Sequence, residues 1–367
     1  GPPRSIGNLV EHLGDDFKIL IFTSDRDVLD LNPYNGVELN TWNTVGKAKV
    51  FYATKQQQTL CGILSFLAKT KYDLIYLNSF WDPKFTILPL IARRLGLAPK
   101  KACVIAPRGE FSQGSLKIKA NKKNLFLGLT RLMGLYQGLD WHASTEHEYA
   151  DILRALPWVQ PKKISIARNL VSVKDFKMSN YIMKNPKTQG PLRICFLSRI
   201  TPKKNLDFAL RVLALANSEL VFTIYGPIED QIYWEKCKLL INKMPANINV
   251  NYEGEIHPDR VKKELSKHDC FLFPTLGENF GHVIYEALKA GLILLISNRT
   301  PWTNIAEKGV GWDLSLKEEV QFAKKIDEIS NFSYKKITSI RLLSYSYAKE
   351  LASDINEIEA NRLLFSK

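Results

Sequence analysis

The chain has 367 residues, 45% of them hydrophobic, and a formal net charge of +14. This length suits two domains of ordinary size. No apolar run approaches the roughly 20 residues of a membrane span, and the five cysteines show no paired or Cys-x-x-Cys spacing, so an integral membrane protein and a zinc or disulfide framework are excluded. We expect reduced thiols, no signal peptide and a cytoplasmic location.

The positive charge is concentrated in the first half of the chain. Residues 1–172 hold 23 Lys and Arg against 14 Asp and Glu. A basic protein favours anionic partners, namely nucleic acid, an acidic lipid surface or phosphorylated substrates. Charge alone does not choose among them.

The first half alternates predicted strands with helical patterns. An amphipathic helix over 6–13 comes first, and further helical patterns cover 58–69 and 85–95. The predicted strands are 17–23, 49–53, 74–78, 102–106, 141–144 and 164–167. Such alternation predicts a parallel sheet covered by helices on both faces. The segment 173–190 is polar and aperiodic, which indicates a linker.

The alternation restarts after this linker. Predicted strands cover 192–197, 220–225, 248–252, 270–273 and 292–296, separated by helices 206–216, 233–242 and 261–267. The last segment, 320–367, is mostly helical. We therefore expect an α/β protein with two doubly wound, Rossmann-like parallel-sheet domains, 1–172 and 191–344, facing a central cleft.

One stretch, 271–291, organises the second domain. It reads as a buried strand, a Gly-containing turn over 277–281, and a helix that ends at Gly291. Glu278 lies before this helix and Glu286 lies on it. Strand, turn and helix N-terminus together make an anion or sugar site at the carboxyl edge of a sheet. The alternative is an ordinary doubly wound strand-turn-helix unit with two solvated acids.

The same stretch resembles the donor-site signature of retaining GT-B glycosyltransferases, especially family four. The resemblance rests on two Glu separated by seven residues, Phe-Gly between them, and the run Glu-Ala-Leu-x-Ala-Gly that begins at the second Glu. It implies transfer of a sugar from a nucleotide-sugar, a UDP- or GDP-sugar, to a hydroxyl of a glycan acceptor. The acceptor implied is a lipid-linked precursor of a bacterial surface polysaccharide. No metal and no cofactor are expected.

The resemblance also concerns the ends of the chain. Residues 1–5 resemble the end of a Gly-rich loop that follows the first strand of a GT-B N-domain, so we expect that strand to be missing. The alternative for Gly1-Pro2 is a scar left by a protease. In the GT-B fold the final helix returns to the N-domain, and this implies the same for roughly 345–367.

Donor-site roles follow from the resemblance, residue by residue. Arg199 and Lys204 follow the strand 192–197 with the spacing of the Arg-x-x-x-x-Lys element that grips the donor diphosphate. Glu278 would hold the sugar and Glu286 the ribose hydroxyls, and Glu278, Arg199 and Lys204 are the predicted catalytic residues. Further donor contacts are assigned to Gly226, Ile256, Asn279, Phe280, Gly281 and His282. Trp302 either edges this pocket or packs in the core.

The N-domain should supply the acceptor site, and its candidates lie at or near strand ends. They are Asp25, Arg108, Glu110 and His142. Arg108 occupies a position where many relatives place a His, and it could hold a phosphate. Glu110 is the better proton acceptor. Asp25-x-Asp27 resembles a short metal-binding motif of another glycosyltransferase fold, but we expect no metal there.

A basic and apolar stretch follows the acceptor candidates. Lys117, Lys119, Lys122 and Lys123 precede Phe126, Leu129 and Met133. This pattern favours a peripheral position on an anionic membrane surface at the inner face of the cell membrane. The alternative is a core-packed helix with a solvated basic end.

Two other functions remain open. One is a different nucleotide-sugar enzyme on the same architecture, such as an epimerase, although the Glu pair with Phe-Gly favours transfer. The other is a basic nucleic-acid-binding protein. Because the sequence holds no helix-turn-helix, zinc or RNA-recognition motif, we expect no nucleic-acid partner.

Overall fold

The structure is a computed structural model that describes residues 2–27, 30–112, 116, 120–173, 176 and 190–366. The chain divides into two compact units, one of residues 1–172 with 354–367 and the other of residues 173–353. Most of the predicted linker, 173–190, lies outside the described residues.

Strands and helices alternate along both units. The strands are β1 (Ile19–Ser24), β2 (Trp42–Val45), β3 (Ala48–Ala53), β4 (Leu74–Leu77), β5 (Ala102–Ile105), β6 (Asp140–Ala143), β7 (Ile164–Ile166), β8 (Leu192–Leu197), β9 (Leu220–Tyr225), β10 (Ile248–Gly254), β11 (Cys270–Phe273), β12 (Ile293–Ser297) and β13 (Gly311–Leu314). The helices are α1 (Pro2–Leu13), α2 (Leu60–Lys69), α3 (Leu88–Arg94), α4 (Ala120–Leu132), α5 (Glu146–Ala155), α6 (Leu206–Ala214), α7 (Gln231–Ile241), α8 (Val261–Leu265), α9 (His282–Lys289), α10 (Glu319–Ser330), α11 (Tyr334–Ala352) and α12 (Ile355–Phe365).

Short tight turns complete the list. A π-helical turn over Pro83–Ile87 runs into α3. Three 3₁₀ turns cover Pro161–Lys163, Pro202–Lys204 and Pro258–Arg260. Each begins with proline, whose fixed φ suits the first position of a helical turn.

The strands of the first unit pair in two sets. One has the order β1-β3-β2 and the other β4-β5-β6-β7. All pairs are parallel except β2 with β3, which form a hairpin closed between Val45 and Ala48. This corrects the all-parallel prediction for the unit. The antiparallel edge strand forms because Trp42 packs across the hairpin on Phe51 and on Phe66 of α2.

The segment that returns to the first unit begins at Asp354, not near residue 345 as predicted. Helix α11 continues to Ala352 inside the second unit because its buried face, including Arg341 and Tyr345, packs there. Helix α12 then joins the first unit, where Asn361 donates a hydrogen bond to the carbonyl of Arg168.

The second unit is a six-stranded parallel sheet of order β10-β9-β8-β11-β12-β13. Strands β11 and β12 are buried at every position, as expected of parallel strands covered on both faces. Arg341 of α11 is fully buried and donates to the carbonyls of Ser266 and His268, each at 2.9 Å, which fixes this helix to the segment that precedes β11.

Candidate functional site

The sheet of the second unit has a topological switch point between β8 and β11. The chain runs from β8 outward through β9 to β10, then crosses over to β11 and continues outward to β13. The loops after β8 and β11 therefore leave the sheet side by side and diverge. In open α/β sheets, ligands bind at the carboxyl ends of the strands at such a point.

Hydrogen bonds join these two loops. The amide of Leu276 donates to the carbonyl of Lys203 at 3.0 Å, and the side chain of Asn205 donates to the carbonyl of Pro274 at 2.8 Å. Asn205 adopts a left-handed conformation that ends the preceding 3₁₀ turn. The loop after β12 is attached as well, because the amide of Glu278 donates to the carbonyl of Arg299. Three strand-end loops thus form one rigid edge.

A nearly buried ion pair lies at the centre of this edge. Lys204 Nζ is 2.5 Å from Glu278 Oε1, and their side chains are 14% and 12% exposed. The hydroxyl of Thr275 lies 3.1 Å from the same carboxylate oxygen, and Lys204 also lies over the ring of Phe273 at 5.7 Å. The sequence-predicted Lys204 and Glu278 are therefore in direct contact.

Two further cations border this pair. Arg199 pairs with Glu229 at 2.6 Å in an exposed position. Lys203 interacts electrostatically with Glu278, Lys204 and Arg199, and desolvation of its ammonium lowers the pKa of that group. Three cations, Arg199, Lys203 and Lys204, face two carboxylates, Glu229 and Glu278, so this edge keeps one net positive charge, which favours an anionic ligand.

Gly226 allows β9 to end close to β8. Its φ is +129°, and a Cβ there would lie 2.0 Å from the carbonyl oxygen of Ser198. Its amide donates to the carbonyl of Gly254 at the end of β10. The predicted position Gly226 therefore lies at the same edge as Arg199, while Ile256 follows β10, the edge strand of the sheet.

The N-terminus of α9 is shaped by a glycine and by aromatic packing. Gly281 has φ +81° as the residue before the helix, and a Cβ there would contact Glu278 and Ile284. Trp302 donates its indole N–H to the carbonyl of Phe280, whose ring also packs on His282. Trp302 therefore both packs in the core and holds the predicted sugar-binding turn, which includes Asn279.

Glu286 lies half-buried on α9, one helical turn after His282. This places it on the helix that begins at the switch point. All the predicted donor residues thus belong to the loops and helix of one sheet edge.

A second polar edge lies in the first unit, at the carboxyl ends of β4, β5 and β6. Arg108 follows β5 with φ +56°, a conformation that non-glycine residues rarely adopt. Its guanidinium donates to Asn78 at 2.7 Å, to the hydroxyl of Tyr76 at 2.8 Å, and to Asn169. These partners are all neutral, so its charge is not compensated by them.

His142 is a neutral part of this network. It is 1% exposed, with Nδ1 2.5 Å from the Tyr76 hydroxyl and Nε2 2.7 Å from the carbonyl of Ala167. Burial, and secondarily the charge of Arg108, lower the pKa of His142 to about 3. Because a carbonyl only accepts, Nε2 carries the proton and Nδ1 accepts from Tyr76.

Two carboxylates hold the turns of this edge. Glu110 accepts hydrogen bonds from the Ser79 hydroxyl at 2.8 Å and from the Phe80 amide at 2.6 Å, and burial raises its pKa. Glu148 is 4% exposed and accepts from the amide of Gly109 and from Ser144. The Glu110 carboxylate is therefore fixed by several donors.

Two predicted acceptor contacts need correction. His142 is buried with both ring nitrogens bonded, so it positions Tyr76 and cannot touch an acceptor. Asp25 is 0% exposed and forms a bidentate ion pair with its neighbour Arg26, which lowers its pKa. Arg108 and Glu110 remain partly exposed at the edge.

Comparisons with known proteins identify the chemistry. Residues 178–336 match the family described as "Glycosyl transferases group 1". A 41.2 kDa protein in the cps region of Klebsiella pneumoniae is 26% identical over 271 residues, which are 73% of this chain and 71% of that protein. The chain is a glycosyltransferase.

Solved structures show that this glycosyltransferase has the GT-B fold. Anabaena Alr3699/HepE in complex with UDP-glucose is similar with a TM-score of 0.66 and 17% identity, covering 86% of this chain and 85% of that one. WaaG, a glycosyltransferase involved in lipopolysaccharide biosynthesis, is similar with a TM-score of 0.60 and 13% identity, covering 100% and 95%.

Several residues at the strand-end edges of the two units could not be identified as site residues from the sequence. In the second unit these are Thr275, Glu229 and the backbone of Arg299; in the first they are Tyr76, Glu148 and Asn169. Their signal was positional only, because each lies at or near a strand end. Lys117 and Lys119 lie outside the described residues, whereas Lys122 and Lys123 lie in the first turn of α4.

Among the described residues, none of the helices has the length and apolar character that a membrane span requires. No group of three or more His, Cys, Asp or Glu side chains in this part of the chain is arranged to hold a metal ion.

Proposed function

We propose that the protein is a retaining glycosyltransferase of family four that moves a sugar from a UDP- or GDP-sugar to a hydroxyl of a glycan acceptor. The observation that carries the proposal is the Lys204–Glu278 pair at the switch point of the second unit. A cation for the diphosphate and a carboxylate for the sugar meet there, directly before the N-terminus of α9. The similarity to Anabaena HepE, which was solved with UDP-glucose, favours uridine as the base.

The donor diphosphate is held by Arg199 and Lys204 together with loop amides. Both cations are paired with carboxylates, Arg199 with Glu229 and Lys204 with Glu278. A diphosphate presents more charge and more acceptor oxygens than a carboxylate, so it competes for both. Glu278, released from part of this contact, accepts hydroxyls of the donor sugar.

The remaining donor contacts follow the sheet edge. Glu286 binds the ribose hydroxyls from α9, while Gly226 and Ile256 lie beside the nucleotide and its base. Asn279, Phe280, Gly281 and His282 form the turn that presents backbone amides to the sugar. Trp302 keeps this turn in place through its hydrogen bond to Phe280.

The reaction breaks the bond between the sugar anomeric carbon and the diphosphate oxygen. The sugar becomes oxocarbenium-like while negative charge grows on the leaving diphosphate, where Arg199 and Lys204 stabilise it. The acceptor hydroxyl forms the new bond on the same face. Its proton passes to the departing phosphate oxygen, so no protein base, metal or cofactor takes part.

The acceptor belongs to surface-polysaccharide synthesis and is lipid-linked. In support, the relative from Klebsiella pneumoniae lies in a cps region, and WaaG acts in lipopolysaccharide biosynthesis. Arg108 and Glu110 contact the acceptor from the first unit. The enzyme works at the cytoplasmic face of the cell membrane, where Lys122 and Lys123 in the first turn of α4 contact anionic lipid.

The test is product analysis with a panel of UDP- and GDP-sugars and a lipid-diphosphate acceptor preparation, with and without EDTA. We expect transfer from one nucleotide family, an unchanged rate in EDTA, and a product whose anomeric configuration, read by NMR, equals that of the donor. Inversion would contradict the retaining mechanism, and loss of activity in EDTA that magnesium restores would contradict metal independence.

A matched pair of variants assigns the site. Glu286→Ala should raise the KM for the donor by about tenfold, because a carboxylate that accepts two hydroxyls contributes on the order of 1–2 kcal/mol. Glu350→Ala removes the same charge from an exposed position on α11 of the same unit and should leave the KM unchanged. Equal effects of the two variants would remove Glu286 from the donor site.

A further inference from the structure

Helix α12 contacts the segment of residues 167–169, which follows β7 in the first unit. The side chain of Asn361 on α12 is 1% exposed and donates to the carbonyl of Arg168 at 2.8 Å. The amide of Arg168 donates to the carboxylate of Glu357 at 2.9 Å, and the side chains of these two residues form an ion pair at 3.5 Å. Both backbone polar groups of Arg168 are therefore bonded to this one helix.

The two neighbours of Arg168 belong to the hydrogen-bond network of Arg108. Ala167 accepts the Nε2–H of His142 at 2.7 Å. Asn169 is 5% exposed and accepts a hydrogen bond from the guanidinium of Arg108. Because planar peptide units join these three consecutive residues, a shift of Arg168 would move both acceptors. The position of α12 therefore determines where these two acceptors lie.

Helix α12 also contacts the network at Tyr76. The ring centroid of Tyr76 lies 5.3 Å from that of Phe365, the last residue of α12. The Tyr76 hydroxyl accepts from Arg108 at 2.8 Å and donates to His142 at 2.5 Å. A guanidinium only donates, so this direction of the two hydrogen bonds is the only one that satisfies both partners of the hydroxyl. Tyr76 and the segment 167–169 are thus both packed against the same helix.

Three neutral oxygens hold the guanidinium of Arg108. They are the hydroxyl of Tyr76 and the amide oxygens of Asn78 and Asn169, here called the guanidinium cradle, and each accepts from a different nitrogen. A guanidinium has five N–H groups, so two have no partner among the residues that the structure describes. Arg108 is partly exposed at the strand-end edge. A fixed, planar pair of N–H groups suits the oxygens of a phosphate or a carboxylate.

We propose that α12 positions Arg108 to bind an anionic group of the acceptor, and that Asn361 and Glu357 are positioning residues that act through residues 167–169. This inference rests on the proposed transferase function and adds that the acceptor carries a phosphate or carboxylate at this edge. A mobile arginine would supply the same charge without the guanidinium cradle. The cradle fixes the direction of the two N–H groups before the acceptor binds, which lowers the cost of ordering them.

Arg362 offers a matched control on the same helix. Its guanidinium pairs with Asp16 at 2.8 Å, and both side chains are more than a third exposed. Arg362→Gln therefore weakens the attachment of α12 to the first unit without removing a contact of residues 167–169. Glu357→Gln is the conservative variant, because its amide oxygen still accepts from the amide of Arg168.

The first experiment compares sugar transfer with hydrolysis of the nucleotide-sugar in the absence of an acceptor. Asn361→Leu and Glu357→Ala should raise the KM for the lipid-diphosphate acceptor preparation by about tenfold, because a small displacement of a binding group is costly. Hydrolysis and UDP affinity should stay within about twofold of the wild type, since the donor site lies in the second unit. Glu357→Gln and Arg362→Gln should keep nearly the wild-type KM.

Chemical rescue gives a second readout that is independent of stability. Arg108→Ala leaves the three oxygens of the guanidinium cradle in place, so added guanidinium at low millimolar concentration should restore its turnover by about tenfold. Methylammonium should not, because it cannot donate in one plane to three acceptors. In Arg108→Ala/Asn361→Leu the oxygen of Asn169 is displaced, and rescue by guanidinium should be lost.

The source of the anionic group is tested with the acceptor glycan released from its lipid diphosphate by mild acid. If the group is the diphosphate, the wild type should use the released glycan as poorly as Arg108→Ala does. If it is a carboxylate of the glycan, the difference between the two proteins should persist. A wild type that uses a neutral glycan as well as the intact acceptor would overturn the proposal.

Three further results would overturn the positioning role of α12. They are an unchanged KM for the acceptor in Asn361→Leu and Glu357→Ala, a parallel loss of hydrolysis and transfer in these variants, and no rescue of Arg108→Ala by guanidinium. A wild type that binds UDP but neither hydrolyses nor transfers any nucleotide-sugar would instead contradict the transferase function on which the proposal rests.

Discussion

The Lys204–Glu278 pair gives the sharpest prediction about the second unit. The perturbation is Lys204→Met, Glu278→Gln and the double variant, which remove one charge, the other, or both with little change in volume. The pair joins the loops after β8 and β11 and is only 12–14% exposed. Each single variant therefore leaves one charge nearly buried with no partner of opposite sign at that distance.

The magnitude follows from the geometry. Removing one partner of a fully buried pair costs about 3–5 kcal/mol. Here some water reaches both groups, and Thr275 still contacts the carboxylate, so we expect about 2 kcal/mol for each single variant. The double variant leaves no unpaired charge and should also cost about 2 kcal/mol. The sum of the singles exceeds the double by about 2 kcal/mol, which is the coupling energy.

The assay is urea denaturation in which unfolding is monitored by the hydrogen exchange of peptides from residues 190–353. Local readout is needed because a chain of two units does not have to unfold in one transition. Lys236→Met, which removes an exposed ammonium from Asp207 while Arg211 still pairs with that carboxylate, is the control and should cost less than about 1 kcal/mol. Strictly additive effects of Lys204→Met and Glu278→Gln would refute the reasoning, because they would mean that the two groups do not interact.

Three further predictions concern a glycine, an arginine and a histidine. Gly226→Ala should destabilise the second unit by about 3 kcal/mol or more, since its Cβ would overlap the backbone of Ser198. Gly254→Ala, at φ +72° with open space around it, should cost only about 1 kcal/mol in the same denaturation assay, and similar costs for the two variants would contradict the close approach of Gly226 to Ser198. Arg108→Ala should lower turnover of the acceptor about 100-fold with unchanged UDP affinity, because Asn78, Asn169 and Tyr76 lose their donor. The surface variant Arg154→Ala should leave turnover unchanged. Weaker UDP binding in Arg108→Ala would contradict a role confined to the first unit. The pKa of His142 is about 3 in the folded chain and about 6.5 when unfolded, so the unfolded state binds more protons between these pH values, and this residue lowers the free energy of unfolding by about 2 kcal/mol as the pH drops from 7 to 5. His142→Gln should flatten the pH profile of unfolding by that amount. An unchanged profile would show that His142 is protonated in the fold.

The strands of the second unit could be predicted closely from the sequence. Buried parallel strands are short apolar runs, and the runs at 192–197 and 220–225 correspond to β8 and β9. β13 was missed because Gly311-Trp-Asp-Leu314 is not such a run and forms a strand only through its pairing with β12. β2 was missed although Val45-Gly46-Lys47 is a hairpin signal.

Side-chain contacts were less predictable than strand ends. The position of Lys204 and Glu278 at neighbouring strand ends followed from topology, but their direct contact did not. Nothing in the sequence indicated that His142 would be sealed between Tyr76 and a backbone carbonyl, because a histidine in a strand reads the same whether it is buried or exposed. Likewise, the neutral partners of Arg108 come from β4 and from the segment after β7.

The measurement that tests the central claim most directly is calorimetric titration of UDP into the wild type, Arg199→Ala, Lys204→Met and the control Glu350→Ala. If the switch point of the second unit holds the donor diphosphate, the wild type and control bind equally, and each cation variant binds about tenfold or more weakly. Equal UDP affinity in all four proteins would place the nucleotide elsewhere and contradict the account.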